Sequence, residues 1–214
     1  MTGREALPAA LAPPGFEGPA LWTAIFGNTH PVSVEIGSGR GEFLIASAAQ
    51  NPHENFLGIE RSARRVREVA VRLAAQGLAN ARILGADATC VIRLIPGTCV
   101  AAYYILFPDP WWKRRHQRRR LMTAPFVAEL RRTLVPDGTI HLVTDVGDYF
   151  GLAQRQLNAD PALEPVEYPD TPRASTSFAR KAAARGGRLY ASVHRRRAVP
   201  TEFPPLGHWL LAAR

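Results

Sequence analysis

Short apolar runs alternate along the chain with segments whose apolar residues repeat at helical spacing. A compact apolar run predicts a buried strand, whereas a repeat of about 3.6 residues predicts an amphipathic helix. These patterns predict strands at residues 32–36, 55–60, 82–85, 100–107, 139–144, 163–168 and 189–194. They predict helices at residues 42–50, 62–76, 123–134 and 146–157, and a short helix or ordered loop at 178–185.

Strands and helices that alternate in this way are typical of an α/β protein with a doubly wound, mostly parallel sheet. We expect seven strands in a single domain, because 214 residues with 46% hydrophobic content suffice for one large core. Residues 1–21 are expected to form an irregular arm, and residues 22–214 the domain. Four apolar residues of the tail are expected to pack onto the body: Phe203, Leu206, Trp209 and Leu210.

An acidic residue stands at or just after the end of each of the first five predicted strands. Parallel strands place their carboxyl ends at one edge of the sheet, where proteins of this class bind their ligands. The pattern therefore predicts a ligand site built from Glu35, Glu60, Asp87, Asp109 and Asp145.

Three glycines, Gly37, Gly39 and Gly41, follow the first strand and allow the backbone to approach a ligand closely. A glycine loop of this kind binds dinucleotides as well as other adenosine cofactors. Glu60, at the end of the next strand, is placed to bind the ribose hydroxyls of either ligand.

The remaining acids favour a cationic cofactor over a dinucleotide. A carboxylate at Glu35, just before the loop, opposes the pyrophosphate of a dinucleotide. S-adenosylmethionine has no phosphate and carries an amino group and a sulfonium, and Asp87 is placed to bind its adenine amino group. A nicotinamide-dependent oxidoreductase on the same fold stays an alternative, which cofactor binding by the pure protein distinguishes.

The stretch 106–120, LFPDPWWKRRHQRRR, leads from an apolar strand into a dense cluster of positive charge. Pro108 and Pro110 restrict φ and remove two backbone donors, so Asp109 is held in a stiff loop at a strand end. This rigidity suggests a chemical role for Asp109. The alternative is that its carboxylate only anchors the basic cluster through ion pairs.

The positive charge is almost entirely arginine, since Lys113 and Lys181 are the only lysines in a chain of formal net charge +9. Arginine favours bidentate contacts with phosphate. The cluster predicts a polyanionic partner, with Arg118, Arg119 and Arg120 contacting its phosphates.

Cys90 and Cys99 lie in apolar settings without the spacing of a metal site, so we expect two buried thiols and no metal. The N-terminal segment has no signal-peptide pattern, and no apolar run reaches the roughly 18 residues of a membrane helix. We expect a soluble, cytoplasmic protein that is a monomer or a homodimer.

The motifs VEIGSGRG, FLGIE, GADA and LFPDPWWKRRHQRRR resemble those of the bacterial tRNA (guanine-N7-)-methyltransferases, over about residues 22–194. The glycine motif is shared by all class I methyltransferases, which have a Rossmann-like fold, whereas FPDPW followed by the basic run is specific. The resemblance implies methyl transfer from S-adenosylmethionine to N7 of a tRNA guanosine, at position 46 in the variable loop. It also implies that Glu35, Glu60, Asp87 and Asp109 contact the cofactor and that Asp109 is catalytic.

The same resemblance implies substrate-binding roles for Lys113, Asp145, Thr176, Ser177, Phe178 and Ala179. The chain departs from the family at Ala179, because the family usually has Glu in a Thr-x-Phe-Glu segment. The arm carries one basic residue, Arg4, and is expected to add little affinity for tRNA. A catalytically weak tRNA-binding protein of the same fold therefore stays a second alternative.

Overall fold

Helices and strands alternate through the part of the chain that the computed structural model describes, residues 18–167 and 188–198. The helices are α1 (Ala20–Phe26), α2 (Glu42–Gln50), α3 (Ala63–Ala75), α4 (Ala88–Leu94), α5 (Ala124–Thr133) and α6 (Gly147–Asn158). The strands are β1 (Val32–Ile36), β2 (Asn55–Glu60), β3 (Ala81–Gly85), β4 (Val100–Leu106), β5 (Leu134–Thr144), β6 (Leu163–Val166) and β7 (Tyr190–Arg196). A 3₁₀-helix spans Arg114–Arg119.

The seven strands form one sheet in the order β3-β2-β1-β4-β5-β7-β6. Strands β1 to β5 pair in parallel, and β7 runs antiparallel to both β5 and β6. The predicted α/β class and the mostly parallel seven-stranded sheet are confirmed. The chain passes from β1 outward to β2 and β3 and then crosses to β4 on the other side of β1. The winding therefore reverses between β1 and β4, which opens a crevice at their carboxyl ends.

Both faces of the sheet are covered by apolar residues. On one face the helices α1, α4, α5 and α6 pack in a core that includes Leu21, Val34, Ile92, Tyr103, Leu130, Ile140 and Leu157. On the other face α2 and α3 contribute to a core that includes Leu44, Phe56, Val69 and Leu73. Every residue of β1 and of β2 is buried, including the polar residues Ser33, Glu35, Asn55 and Glu60.

Helix α4 is an element that the hydrophobic pattern did not predict. It has only seven residues, and its inward residues Val91 and Ile92 are β-branched, a feature more typical of strands. The signal that marks its start is Asp87, whose side chain accepts a hydrogen bond from the Thr89 amide at 2.9 Å. Such a cap supplies a partner for an amide of the first helical turn.

Strand β5 begins at Leu134, five residues before the predicted start at Thr139. Val100 pairs with Leu134 and Ala102 pairs with Thr139, so residues 135–138 bulge out of the ladder. Asp137 has a φ of 61° within this bulge. The sequence Pro-Asp-Gly at residues 136–138, which is typical of a turn, therefore produces a bulge within a strand.

The two cysteines differ in their surroundings. Cys99 is buried, and burial raises the pKa of its thiol to about 11. Cys90 is exposed, so the expectation that it is buried is wrong. Helix α4 turns Ala88, Val91 and Ile92 inward and leaves residue 90 on its outer side.

Several expectations lie outside the described residues: the arm up to residue 17, the element at 178–185 and the packing of the tail. Strand β6 ends at Val166, and the predicted end at residue 168 also lies outside them. Of the helices that are described, none is long and apolar enough to cross a membrane.

Candidate active site

The five strand-end acids lie along one edge of the sheet, where β3, β2, β1, β4 and β5 end. Two of them, Glu35 and Glu60, are buried, with 5% and 7% of their surface exposed. Asp109 and Asp145 are exposed, and Asp87 is half-buried. The edge therefore combines an enclosed acidic part around β1 and β2 with an open acidic part around β4 and β5.

The glycine loop turns at the end of β1 with three left-handed residues. Gly37, Gly39 and Gly41 have φ angles of 77°, 55° and 69°, which side-chain-bearing residues rarely adopt. Gly41 is also in close contact with α3, because a Cβ there would lie 2.7 Å from Cγ1 of Val69. The loop leads into α2 at Gly41, which has no side chain to cap the helix.

The loop supports a prediction with a matched control. Gly41→Ala is expected to lose about 1–2 kcal/mol of stability to left-handed strain, and about 1–3 kcal/mol more to the clash with Val69. Gly77 has a similar φ of 65°, but a Cβ there has no neighbour within 4 Å, so Gly77→Ala tests strain alone. Urea denaturation of both variants measures the difference, and equal losses would show that contact with Val69 is unimportant.

Glu60 binds the glycine loop from the neighbouring strand. Its Oε2 accepts a hydrogen bond from the Gly39 amide at 2.9 Å, and its Oε1 accepts one from the Ser62 amide at 2.8 Å. Arg65 lies 3.8 Å from the same carboxylate. Glu60 therefore fixes the glycine loop from the end of β2.

Glu35 is enclosed more completely than the sequence suggested. It lies in the sheet between Gly58 of β2 and Tyr104 of β4, and its Oε2 has no hydrogen-bond partner among the described residues. Burial raises the pKa of Glu35 from its usual 4.5 to about 8, while the Ser38 hydroxyl and the Leu44 amide oppose this shift. The side chain is therefore a buried carboxyl beneath the glycine loop and not a carboxylate on an open rim.

Asp87 caps α4 and faces the rim of the site. Its Oδ1 accepts hydrogen bonds from the Thr89 hydroxyl at 2.6 Å and from the Thr89 amide, and Arg61 lies 3.6 Å from its Oδ2. The hydrogen bond from the Thr89 hydroxyl is the main cause that holds the pKa of Asp87 below its usual range. Asp87 is therefore an ionised acceptor at the end of β3.

Asp109 lies in an exposed loop whose backbone is strained on both sides. Phe107 and Trp111 have φ angles of 52° and 45°, in the left-handed region that non-glycine residues seldom occupy. Such strain persists where surrounding contacts enforce it and is concentrated at functional sites. The loop that carries Asp109 is therefore held in one conformation by more than its prolines.

The basic segment, residues 113–120, folds back onto this loop and helps to hold it. The Cζ atom of Arg119 lies 5.0 Å from the ring centroid of Trp111, and His116 contacts the same ring edge-on at 5.7 Å. Arg120 donates a hydrogen bond from Nε to the Pro110 carbonyl at 3.1 Å. Arg119 and Arg120 thus support the loop, which their sequence pattern alone did not reveal.

Other side chains of the segment face solvent. Lys113, Arg115 and Arg118 are exposed and form no ion pair with any of the described residues. Trp112 is 63% exposed, whereas Trp111 is half-buried. Of the two tryptophans, Trp111 supports the loop and Trp112 is free to stack on a ligand.

Tyr149 is a residue near the site that the sequence did not bring to attention. It lies in the first turn of α6, shortly after β5 ends at Thr144, and only 2% of its surface is exposed. Burial raises the pKa of its hydroxyl to about 12, and the charges of Arg120 and Asp109 both act on it. Tyr149 therefore packs close behind the loop. The predicted substrate positions 176–179 lie outside the described residues.

This fold, with a glycine loop after β1 and acids at the ends of β2 and β3, is that of the class I methyltransferases. The 16S rRNA methyltransferase KamB matches with a TM-score of 0.61 at 16% identity, over 86% of this chain and 95% of that chain. The 16S rRNA (adenine(1408)-N(1))-methyltransferase of Catenulisporales acidiphilia, solved with its cosubstrate SAM, matches with a TM-score of 0.58 at 16% identity. This match covers 86% of the present chain and 94% of the methyltransferase chain.

Sequence similarity is more specific. A family model described as a putative methyltransferase matches residues 29–191. A tRNA (guanine-N(7)-)-methyltransferase of Acidithiobacillus ferrooxidans is 37% identical, over 83% of this chain and 81% of the relative. A protein of the same description from Cupriavidus necator is 38% identical, over 85% of this chain and 72% of the relative. The chain belongs to the family of tRNA (guanine-N(7)-)-methyltransferases.

The residues of this edge fit S-adenosylmethionine. The buried Oε2 of Glu35 has no partner among the described residues, whereas most buried polar atoms in proteins have one. A cationic ligand would supply one and would favour the ionised form of the carboxyl group. The site thus matches the charge of the cofactor that methyltransferases of this class use.

Proposed function

We propose that this chain transfers a methyl group from S-adenosylmethionine to N7 of a guanosine in tRNA, and that this guanosine is position 46 of the variable loop. The observation that supports it best is the position of Asp109. Its carboxylate is exposed on a strained loop at the end of β4, the strand beside β1 and its glycine loop, and the exposed cations of the basic segment follow this loop in the chain. A substrate phosphate, a target base and the cofactor can meet at that point.

Methyl transfer to guanine N7 requires few catalytic groups from the protein. When bound, S-adenosylmethionine supplies an activated methyl group on a sulfonium. Guanine N7 carries an in-plane lone pair and has no proton to lose, so the chain has to provide orientation and charge stabilisation and no strong base. Orientation alone can contribute roughly 7–11 kcal/mol to lowering a barrier.

The residues on the cofactor side and those on the guanine side of the site have different proposed roles. Glu60 binds the ribose hydroxyls while it holds the glycine loop, and Asp87 accepts from the adenine amino group. Asp109 accepts hydrogen bonds from N1 and the amino group of guanine and stabilises the positive charge that develops on the purine. Trp112 provides a face on which the base stacks.

The tRNA is held by the cations around the loop. We assign phosphate contacts to Lys113, Arg115 and Arg118, which face solvent, and a further substrate contact to Asp145 at the end of β5. His116 packs against Trp111, so its ring has a supporting role in the loop.

Mass spectrometry of tRNA nucleosides tests the proposal. Incubation of unmodified tRNA with the protein and S-adenosylmethionine should produce 7-methylguanosine, and a transcript that lacks the guanosine at position 46 should stay unmethylated. Saturable binding of NAD with no binding of S-adenosylmethionine would contradict the proposal and favour an oxidoreductase. Ala179, where the resemblance to the family implies an acid, supports a second candidate, a tRNA-binding protein with weak catalysis. Tight tRNA binding without 7-methylguanosine would identify that case.

The exposed arginines give a prediction about salt dependence. Arg115→Ala with Arg118→Ala should weaken tRNA binding and lower the slope of log K against log salt by roughly 0.7–0.9 for each lost phosphate contact. Affinity for S-adenosylmethionine should be unchanged, because neither side chain contacts a described residue of the cofactor side.

Arg93→Ala is the control for this prediction, since Arg93 is exposed in the last turn of α4, away from the ligand-binding edge. Filter binding at several salt concentrations measures the slope for the wild type, for the double variant and for Arg93→Ala. A slope equal to that of the wild type in the double variant would show that these two arginines are merely solvated.

A further inference from the structure

Of the two buried acids of the site, Glu35 is the one whose charge the described residues compensate less. Glu60 accepts hydrogen bonds from two backbone amides, and Asp87 accepts them from an amide and a hydroxyl. Glu35 is as enclosed as Glu60, and the Ser38 hydroxyl and the Leu44 amide act on its carboxyl group. Its Oε2, however, has no partner among the described residues, and none of the ion pairs between described residues includes it. An enclosed carboxylate without a cation is costly, so the neutral acid is the favoured state.

Among the described residues, no cation is found to act on the carboxyl group of Glu35, and Arg40 of the glycine loop is exposed. From β2, Glu60 acts on it with like charge and raises its pKa further, and from β4 its neighbour is the phenol of Tyr104. Helix α2 begins above it with another acid, Glu42. The guanidinium that α3 contributes, Arg65, lies 3.8 Å from Glu60 and forms its ion pair there.

A buried ionisable group that lacks a partner inside a binding site indicates that a ligand completes its environment. We infer that Glu35 is a proton-coupled binding residue, neutral in the free protein and ionised when the ammonium group of the cofactor's methionine moiety binds, so that its proton is released to solvent. The inference rests on the proposed use of S-adenosylmethionine.

Calorimetry on the full chain counts the proton. Titration of S-adenosylmethionine at pH 7 in two buffers of different ionisation enthalpy gives the number of protons released. A carboxyl that titrates near pH 8 is about 0.9 protonated at pH 7, so the wild type should release close to one proton. S-adenosylhomocysteine keeps the ammonium group and lacks the sulfonium charge, so it should release the same proton. Release with S-adenosylmethionine alone would overturn the assignment to the ammonium group.

Two variants separate Glu35 from other sources of protons. Glu35→Gln should release no proton, while Glu68→Gln, which removes an exposed carboxylate on α3, should behave as the wild type.

The dissociation constant of the wild type should fall about tenfold between pH 6 and pH 7, relative to that of Glu35→Gln. The ratio cancels any titration of the cofactor itself.

Thermal unfolding of the free protein gives a readout that does not depend on ligand. A folded-state pKa of about 8 against an unfolded 4.5 means that the neutral acid stabilises the fold at low pH, and that this contribution is lost as pH rises towards 8. The melting temperature of Glu35→Gln should therefore rise above that of the wild type between pH 5 and pH 8, and the gap should stay constant at higher pH. A gap that does not change with pH would overturn the inference.

The outcomes distinguish the inference from the proposed function. Absence of binding by S-adenosylmethionine would contradict the function itself. Binding without proton release by the wild type would leave the function in place and overturn only the role of Glu35. If Glu35→Gln fails to fold, carboxyl NMR of the ¹³C-glutamate-labelled wild type decides the question. A side chain titrating near pH 8 that becomes ionised on cofactor binding supports the inference, and carboxyls that all titrate below pH 6 overturn it.

Discussion

Replacing Asp109 with asparagine is expected to lower the single-turnover rate of guanosine methylation by about 100-fold or more, a loss typical of removing one electrostatic stabiliser. The amide keeps the shape of the side chain but has no negative charge to balance the positive charge that develops on the purine. It also replaces one acceptor oxygen with a donor, which opposes the N1 and amino donors of guanine. The rate is measured with saturating tRNA and cofactor, so that binding does not limit it.

The structure makes this substitution a clean test. Asp109 is exposed and forms no ion pair with a described residue, so the variant should keep the melting temperature and the tRNA affinity of the wild type. If Asp109 served only to anchor the basic segment, stability would fall and turnover would stay near normal. A wild-type rate would move the catalytic assignment to Asp145, the next acid along the edge.

Glu60→Ala is expected to weaken binding of S-adenosylmethionine by about 1.5–3 kcal/mol, or roughly 10- to 150-fold. The loss has two sources. The variant lacks the proposed contact with the ribose, and it leaves the Gly39 and Ser62 amides without their charged acceptor, so the glycine loop is held less firmly. Calorimetry measures the affinity directly.

Glu60→Gln separates these two sources, because the amide oxygen can still accept from one backbone amide but carries no charge. We expect an affinity between those of the wild type and the alanine variant. Glu68→Ala, on the exposed side of α3, is the control for the loss of a glutamate. An unchanged dissociation constant in Glu60→Ala would exclude Glu60 from the cofactor site.

The main strands and the edge that carries the site followed from sequence because their signals are local. A continuous apolar run such as Val100–Leu106 marks a strand buried on both faces, and an acid after it falls at the carboxyl edge. Helix α4 was not predictable in the same way, since it is short and contains β-branched residues. Its existence depends on the core into which Val91 and Ile92 pack.

The roles of the individual charged residues also depend on three-dimensional contacts. The adjacent residues Arg118, Arg119 and Arg120 look alike in sequence, but Trp111 and the Pro110 carbonyl engage only the last two. Likewise, the pattern places Glu35 at a strand end without showing that its carboxyl group is enclosed by other elements. Spacing along the chain predicts the position of a residue in a strand or helix, whereas tertiary packing determines which groups its side chain contacts.

The reversal of winding between β1 and β4 has a consequence for recombination. Residues up to Leu94 contribute the glycine loop, Glu60 and Asp87, and residues from Val100 onward contribute Asp109 and the basic segment. The two contributions therefore lie in separate, uninterrupted stretches of the gene. A chimera that keeps the first stretch and takes the second from a methyltransferase with another RNA substrate would keep the glycine loop, Glu60 and Asp87 while it exchanges Asp109 and the basic segment.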